Sequence, residues 1–401
     1  MNNFTAKSFS DNAPPQAGWH FLQIPGPTNI PTRVLRAMAQ GAIDQRGQSF
    51  SRLALELFDG LRTVFKTSEE IFIFPSSGTG AWEAAIVNTL SPGDRVLMFD
   101  SGQFSFLWIK MARQFGLDVE VMETDWRHGP DPAAIEARLA EDREHKIKAV
   151  MVVHNETANG TTARVAEIRK AIDAANHPTL YFVDTISSLA SIDYRHDEWG
   201  VDVSVGGSQK GLMLPPGLSF NAVSAKAKRA SETAKMPRCY WDWSWMRENN
   251  VNGFFPYTPA IQHLYGLKES LTMLMDEGLD NVFARHTRLA TATRIAVKAW
   301  GLETVCADPR EYSDSVTAVF VPEGHDADAM RAIVLKRHNM ALGGGLARLA
   351  GRVFRIGHMG DCNDLMMAGV LAGIEMGLSQ AGIPHKAGGA QAANQFFAKA
   401  A

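Results

Sequence analysis

The sequence predicts an α/β fold, a mostly parallel sheet with helices on both faces, followed by a smaller α+β C-terminal domain. Three observations predict it. Short apolar runs alternate with helical patterns between residues 71 and 224, as strands covered on both faces require. A second, weaker alternation follows a long helical stretch. The 401 residues, 45% hydrophobic and 21% charged, are enough for one large core and one small one.

The elements follow in order. Residues 1–20 are polar and contain prolines, and read as an arm. IFIFP (71–75), RVLMF (95–99), DVEVM (118–122), IKAVMVVH (147–154) and TLYFVD (179–184) read as strands, with helices near 79–90, 104–115 and 163–175. VDVSV (201–205) and GLSFNAVS (217–224) are two more strands, with a Gly-rich turn between them. Residues 237–259, PRCYWDWSWMRENNVNGFFPYTP, break the rhythm and read as a long, partly buried loop leading into helices over 260–299. SVTAVFVP (315–322), a helix near 326–337 and RVFRIGHMG (352–360) with a following helix make the small domain. The expected division is an arm at 1–20, a large domain at 21–262, a small domain at 263–385 and a loose tail at 386–401.

A net charge of −3 gives no footprint for nucleic acid, and no run of about 18 apolar residues suits a membrane. Cys239, Cys306 and Cys362 are widely spaced and odd in number, which argues against structural disulfides and against a zinc site, so no metal is expected. With no apolar leader near the start, a cytoplasmic setting is expected.

Chemistry concentrates at strand ends, where ligands of open α/β sheets collect. In GGSQKGLMLPPG (206–217), Lys210 sits on a turn between two core strands without charged neighbours in sequence. Burial without a partner makes a lysine amine neutral and nucleophilic, although the residues alone also permit a lysine that snorkels out to water. Ser77, Gly78 and Thr79 precede a helix, where free N–H groups can hold a phosphate or simply be capped. Asp184 ends an apolar strand and needs either a cation or a turn to cap. His154-Asn155-Glu156-Thr157 puts a hydroxyl at a third strand end. Arg355 interrupts the apolar strand VFRIG and needs an anion, either a substrate carboxylate or a structural partner such as Asp361 or Glu375. Gly26 and Asn29 in PGPTN could line the same pocket.

The order of cradle, hydroxyl, acid and then lysine 26 positions after the acid is that of pyridoxal-phosphate enzymes. Over roughly residues 21–385 the chain resembles the class V aminotransferases, in particular the serine-glyoxylate, alanine-glyoxylate and aspartate-glyoxylate group. The resemblance rests on PGPTNIP (25–31), SSGTGAWEAA (76–85), VHNETANG (153–160), FVDTISSLAS (182–191), GSQKGLMLPPG (207–217), PYTP (256–259) and FRIGHMGD (354–361). It implies that Ser77, Gly78, Thr79 and Gln209 bind the cofactor phosphate, that Phe104 stacks on the ring, and that Thr157 meets the ring hydroxyl. Asp184 would hold the pyridine nitrogen, Lys210 would form the Schiff base, and Arg355 would hold the substrate α-carboxylate. Tyr257 and Thr258 would reach the phosphate of a neighbouring subunit, which implies a homodimer with shared sites.

The implied reaction is a ping-pong transamination from a small amino acid to glyoxylate, with serine favoured over aspartate or alanine as donor. Aspartate would need a second cation, for which Arg46 and Arg348 are the candidates. Three positions depart from the family pattern and bear on donor choice: Phe106 where histidine is frequent, Gln45 within DQR where DHR is frequent, and Ala190 where glycine is usual. Three rivals fare worse. A lyase or desulfurase would need an acid or thiol over the substrate side chain. A cofactor-free binding protein would not need Lys210, Asp184 and Arg355 together. A nicotinamide enzyme would carry GxGxxG after the first strand.

Overall fold

The computed structural model describes residues 18–399, so most of the expected N-terminal arm lies outside it. The large sheet has seven strands in the order Glu70–Phe74, Ser219–Val223, Val203–Gly207, Leu180–Asp184, Ile147–Val153, Arg95–Asp100 and Asp118–Glu123. Ser219–Val223 runs antiparallel to both neighbours, and the other pairs are parallel. These strands read as apolar throughout because alternate residues enter different cores. Ile71, Ile73, Leu97 and Phe99 join one apolar cluster, while Phe72, Phe74, Val96 and Met98 join the other.

The topology has one consequence for the site. Six strands end at the same edge, at Phe74, Asp100, Glu123, Val153, Asp184 and Gly207, so the loops that follow them open there. The predicted strands all form, with ends shifted by a few residues.

The small domain carries a five-stranded sheet ordered Phe21–Gln23, Met340–Gly344, Val353–Gly357, Val316–Phe320 and Glu303–Thr304. The expected boundary at residue 21 therefore needs correcting, since Phe21–Gln23 pairs with Met340–Leu342 in the small sheet. The segment after it, residues 24–30, then crosses to the large domain. The stretch 260–299 forms two helices, Ile261–Glu277 and Leu279–Trp300, broken at Gly278, whose φ of 81° favours glycine.

Two expectations fail for identifiable reasons. The supposed loop at 237–259 contains the helix Trp243–Asn250, started by Asp242, whose side chain accepts from Ser244 N and Trp245 N. Trp243 stacks on Phe72 of the same chain with ring centroids 5.5 Å apart, while Tyr240 and Trp245 stay exposed. The supposed loose tail contains the helix Gly389–Lys399, packed on Leu279–Trp300. Glu375 holds its start by accepting from Gly388 N at 2.7 Å, Ala390 N at 2.8 Å and Trp300 Nε1 at 2.8 Å. Among the described residues no helix is long and apolar enough to cross a membrane.

Because one carboxylate carries all three bonds, Glu375→Ala should free the C-terminal helix and lower stability by about 2 kcal/mol. Limited proteolysis should then cut between residues 386 and 399 while the rest of the chain stays intact. Unchanged protection of that segment would show that the helix is held by its apolar face alone.

Candidate active site

The loops at the sheet edge enclose a cavity of about 290 Å³. Nine of the residues singled out in the sequence line it: Gly26, Ser77, Gly78, Thr79, Phe104, Thr157, Asp184, Gln209 and Lys210. Trp82, Asn155, Ile186 and Ser187 also line it, and sequence reasoning gave none of these four a role.

Lys210 is 7% exposed, so the snorkelling alternative fails. Its loop is fastened at the base by Ser208, which donates to Pro215 O at 2.8 Å and accepts from Leu218 N at 3.2 Å. The segment around PGPTN lies over it. Lys210 Nζ donates to Pro25 O, Thr28 N donates to Gln209 O at 3.2 Å, and Thr28 Oγ1 donates to Lys210 O at 3.2 Å. Gly26 has a φ of 90°, and a Cβ there would stand 2.6 Å from Lys210 Nζ, so only glycine fits. Burial, together with the Arg355 charge, brings the Lys210 amine down to about 7, against the opposing pull of Asp184 and Glu156.

Asp184 is 3% exposed and both of its oxygens are occupied. Trp82 Nε1 donates to Oδ2 at 2.9 Å and Ile186 N donates to Oδ1 at 2.7 Å. The turn-capping reading therefore holds, and the carboxylate also faces the cavity. Burial raises its pKa to about 7, opposed by those two donors. Ser77 occupies the N-cap position of the helix Gly78–Thr89 but makes no side-chain capping bond, so plain capping does not explain it. The Gln209 side-chain oxygen is buried without a partner.

Arg355 pairs with neither Asp361 nor Glu375. Its Nε donates to Gly344 O at 2.7 Å and its Nη1 to Thr157 O at 2.9 Å. It lies behind Thr157 and does not itself line the cavity. Burial brings its pKa down to about 10 although Glu156 opposes the shift. The hydroxyls of Thr157 and Ser187 are hydrogen-bonded to each other.

Other sequence candidates lie elsewhere. Asn29 donates from its side chain to Leu22 O at 3.2 Å. Arg46, Tyr257 and Thr258 line a separate cavity of about 640 Å³, in which Gln45 Nε2 donates to Thr258 Oγ1 at 3.3 Å. The Tyr257 hydroxyl is buried without a partner in hydrogen-bond geometry, and the Tyr240 ring stacks on its ring at 4.4 Å. Arg348 is paired with Asp100 and lies over the Trp126 ring at 4.6 Å. Of the departures from the family pattern, Phe106 is 46% exposed, and Ala190 adopts a left-handed φ of 57° that glycine reaches without strain.

These residues fit pyridoxal phosphate. An uncapped helix end suits its phosphate, a buried carboxylate held by two donors suits its ring nitrogen, and a buried amine near neutrality suits its aldehyde.

A sequence profile described as aminotransferase class V matches residues 20–352. A serine–glyoxylate aminotransferase of Methylorubrum extorquens is 51% identical over 372 residues, covering 91% of this chain and 92% of the relative. An L-aspartate–glyoxylate aminotransferase of Paracoccus denitrificans is 47% identical over 93% of this chain and 94% of the relative. The solved pyridoxamine–pyruvate aminotransferase of Mesorhizobium loti superposes with a TM-score of 0.90 at 26% identity, covering 96% of this chain and 99% of that one. The cavity and these likenesses agree, and the chain belongs to the class V aminotransferases, pyridoxal-phosphate-dependent transaminases of fold type I.

Proposed function

We propose that this enzyme moves an amino group from a small L-amino acid, serine by preference, to glyoxylate, giving glycine and a 2-keto acid in a ping-pong cycle. The observation that carries the donor choice is the supply of positive charge. Among the described residues Lys210 is the one cationic side chain lining the cavity, with Arg355 behind it for the α-carboxylate. Arg348 is already paired with Asp100. A serine hydroxyl needs only small polar contacts, whereas the second carboxylate of aspartate needs a free cation. The names of the two relatives above support glyoxylate as acceptor and leave both donors in play, and alanine would meet the same walls as serine without a hydroxyl to satisfy.

When bound, pyridoxal phosphate supplies an aldehyde that condenses with amines and a ring that takes up the electron pair left as the substrate Cα–H bond breaks. The protein does the rest. Lys210 Nζ, near neutrality by burial, is free of its proton often enough to act as nucleophile and then to carry the substrate Cα proton. Asp184, aimed by Trp82 and Ile186 N, holds a proton on the ring nitrogen. Arg355 stands behind Thr157 as the cation for the α-carboxylate of donor and acceptor in turn, which suits a two-stage cycle on one site.

We further propose a homodimer with shared sites in the cytoplasm. The buried, unpartnered Tyr257 hydroxyl and the open cavity beside it support a phosphate arriving from a second subunit. The exposed Tyr240 and Trp245 rings support a covered face there, and three unpaired cysteines suit a reducing compartment.

In cofactor-free protein, amine-directed labelling of Lys210 should reach half its maximum near pH 7, because only the neutral amine reacts and burial lowers its pKa to about 7. Ordinary lysines should still be rising towards pH 10. Borohydride reduction of the loaded enzyme should leave the cofactor on the Lys210 peptide, and Lys210→Ala should lose at least about 10³-fold in turnover. A reduced adduct on any other lysine would reject the assignment.

Donor choice is tested at Arg46. With serine as donor, Arg46→Ala should leave the serine-to-aspartate ratio of kcat/KM within about twofold. A strong aspartate preference in the wild type that disappears in Arg46→Ala would make aspartate the donor and Arg46 its side-chain anchor.

The shared site is tested by mixing. Tyr257→Phe should weaken cofactor retention, and hybrids formed with Lys210→Ala should regain activity, because one of the two sites is then assembled from intact halves. Full activity in a monomer, measured by light scattering at assay concentration, would rule the dimer out.

A further inference from the structure

One carboxylate buried beside the cavity takes no part in the chemistry above. Glu156 is 2% exposed and lies 52 positions from the helix it serves. Its Oε2 accepts from Phe104 N at 3.0 Å and Ser105 N at 3.1 Å, and its Oε1 accepts from Ala158 N at 3.0 Å. The helix Gln103–Gln114 has Gly102 at its N-cap, a residue with no side chain to offer. Glu156 fills that role from another strand. Gly102 is constrained in turn, since a Cβ there would stand 2.8 Å from Glu156 Oε2.

A local serine or aspartate would cap this helix with less desolvation, so capping alone does not explain a buried glutamate from a distant loop. The neighbours of that glutamate do. Asn155 and Thr157, on either side of it, line the cavity. The Thr157 carbonyl takes Arg355 Nη1 at 2.9 Å. Phe104, whose N–H Glu156 holds, is the aromatic wall of the cavity. The charged groups that face Glu156 are Arg355, Lys210 and Asp184.

We infer that Glu156 is a positioning residue that fixes Phe104, through its N–H, and Arg355, through the carbonyl of the adjoining Thr157, relative to each other beside the cofactor cavity. This rests on the aminotransferase reading of the cavity. The residue type follows from the donors around it. Three N–H groups converge on one side chain, and only an ionised carboxylate accepts from all of them without presenting a hydrogen of its own. Burial raises the Glu156 pKa, while the three N–H groups and Arg355 act against that rise.

Two substitutions separate position from charge. Glu156→Gln keeps the length but turns an amide N–H towards a donor and removes the charge. Pyridoxal phosphate should bind the cofactor-free variant about tenfold more weakly, read by quenching of tryptophan fluorescence. The pH midpoint for labelling Lys210 should fall by about half a unit or more, because a charge that stabilised its ammonium is gone. Gly102→Ala pushes on the same carboxylate from outside and leaves its charge in place. It should weaken cofactor binding by a similar factor without lowering the Lys210 midpoint. A lower melting temperature with wild-type cofactor affinity and midpoint in Glu156→Gln would make Glu156 a helix cap and overturn the inference, as would wild-type cofactor binding by Gly102→Ala. If Glu156→Gln does not fold, Gly102→Ala decides the positional claim alone. Wild-type protein that fails to bind pyridoxal phosphate would instead remove the aminotransferase reading itself.

Discussion

The structure turns on the difficulty of burying an ammonium group. Lys210 sits between two core strands, and among the described residues the one hydrogen-bond acceptor its amine meets is the Pro25 carbonyl. The rest of the site follows from placing that contact. Pro25 reaches Lys210 because Phe21–Gln23 is anchored in the small sheet and the chain then crosses to the large domain. The crossing is tight on the small-domain side as well: a Cβ on Gly343 would stand 2.7 Å from Pro25 Cδ, and one on Gly357 would stand 2.7 Å from the carbonyl carbon of Ile24. One short strap therefore ties the lysine to both domains, and the glycines along its path are demanded by distance as much as by dihedral angle.

Charge in the cavity is arranged against the stability of the cofactor-free protein. Asp184 has its folded pKa raised from 3.8 to about 7, so its cost to the fold is absent below pH 3.8 and complete above about 7. Lys210 has its pKa lowered from 10.5 to about 7, so its cost is complete below about 7 and absent above 10.5. The two penalties overlap most near pH 7. A ligand that brings a cation to Asp184 and a carbonyl to Lys210 relieves both at once. The empty site is thus strained in the sense that favours the ligand, and bound cofactor stabilises the fold where the enzyme needs it.

Much of this was legible because the strands are apolar throughout and the polar residues stand at their ends. That Ser77, Thr79, Thr157, Asp184 and Lys210 meet at one edge follows from position along the chain, since a parallel sheet gathers such ends there, while the roles proposed for them come from the resemblance. Trp82 could not. It lies in a helix that reads as apolar packing, and only the topology brings its Nε1 to a carboxylate 102 positions away. Glu156 stands inside the NET triplet, where the hydroxyl of Thr157 is the more obvious cofactor contact. The available signal was a helix opening on an uncappable glycine. The C-terminal helix was missed because an Ala/Gly/Gln-rich composition hides its anchors, the ring pair Phe396 and Phe397 packed on Arg288. Aromatic density likewise hid the short helix that Asp242 starts.

Donor identity was the least legible property, because it depends on which cations are free and not on which are present. Arg348 is one of the two cations that the sequence offers for a second carboxylate. It already neutralises Asp100, a residue 7% exposed that also accepts from Trp126 Nε1 at 2.9 Å. Drawing Arg348 onto a substrate carboxylate would leave the Asp100 charge buried and unpaired, and the cost of that vacancy offsets the new contact. A serine hydroxyl requires no such exchange. In the proposed reading with serine as donor, the ion pair between Asp100 and Arg348 keeps a positive charge from serving a second carboxylate.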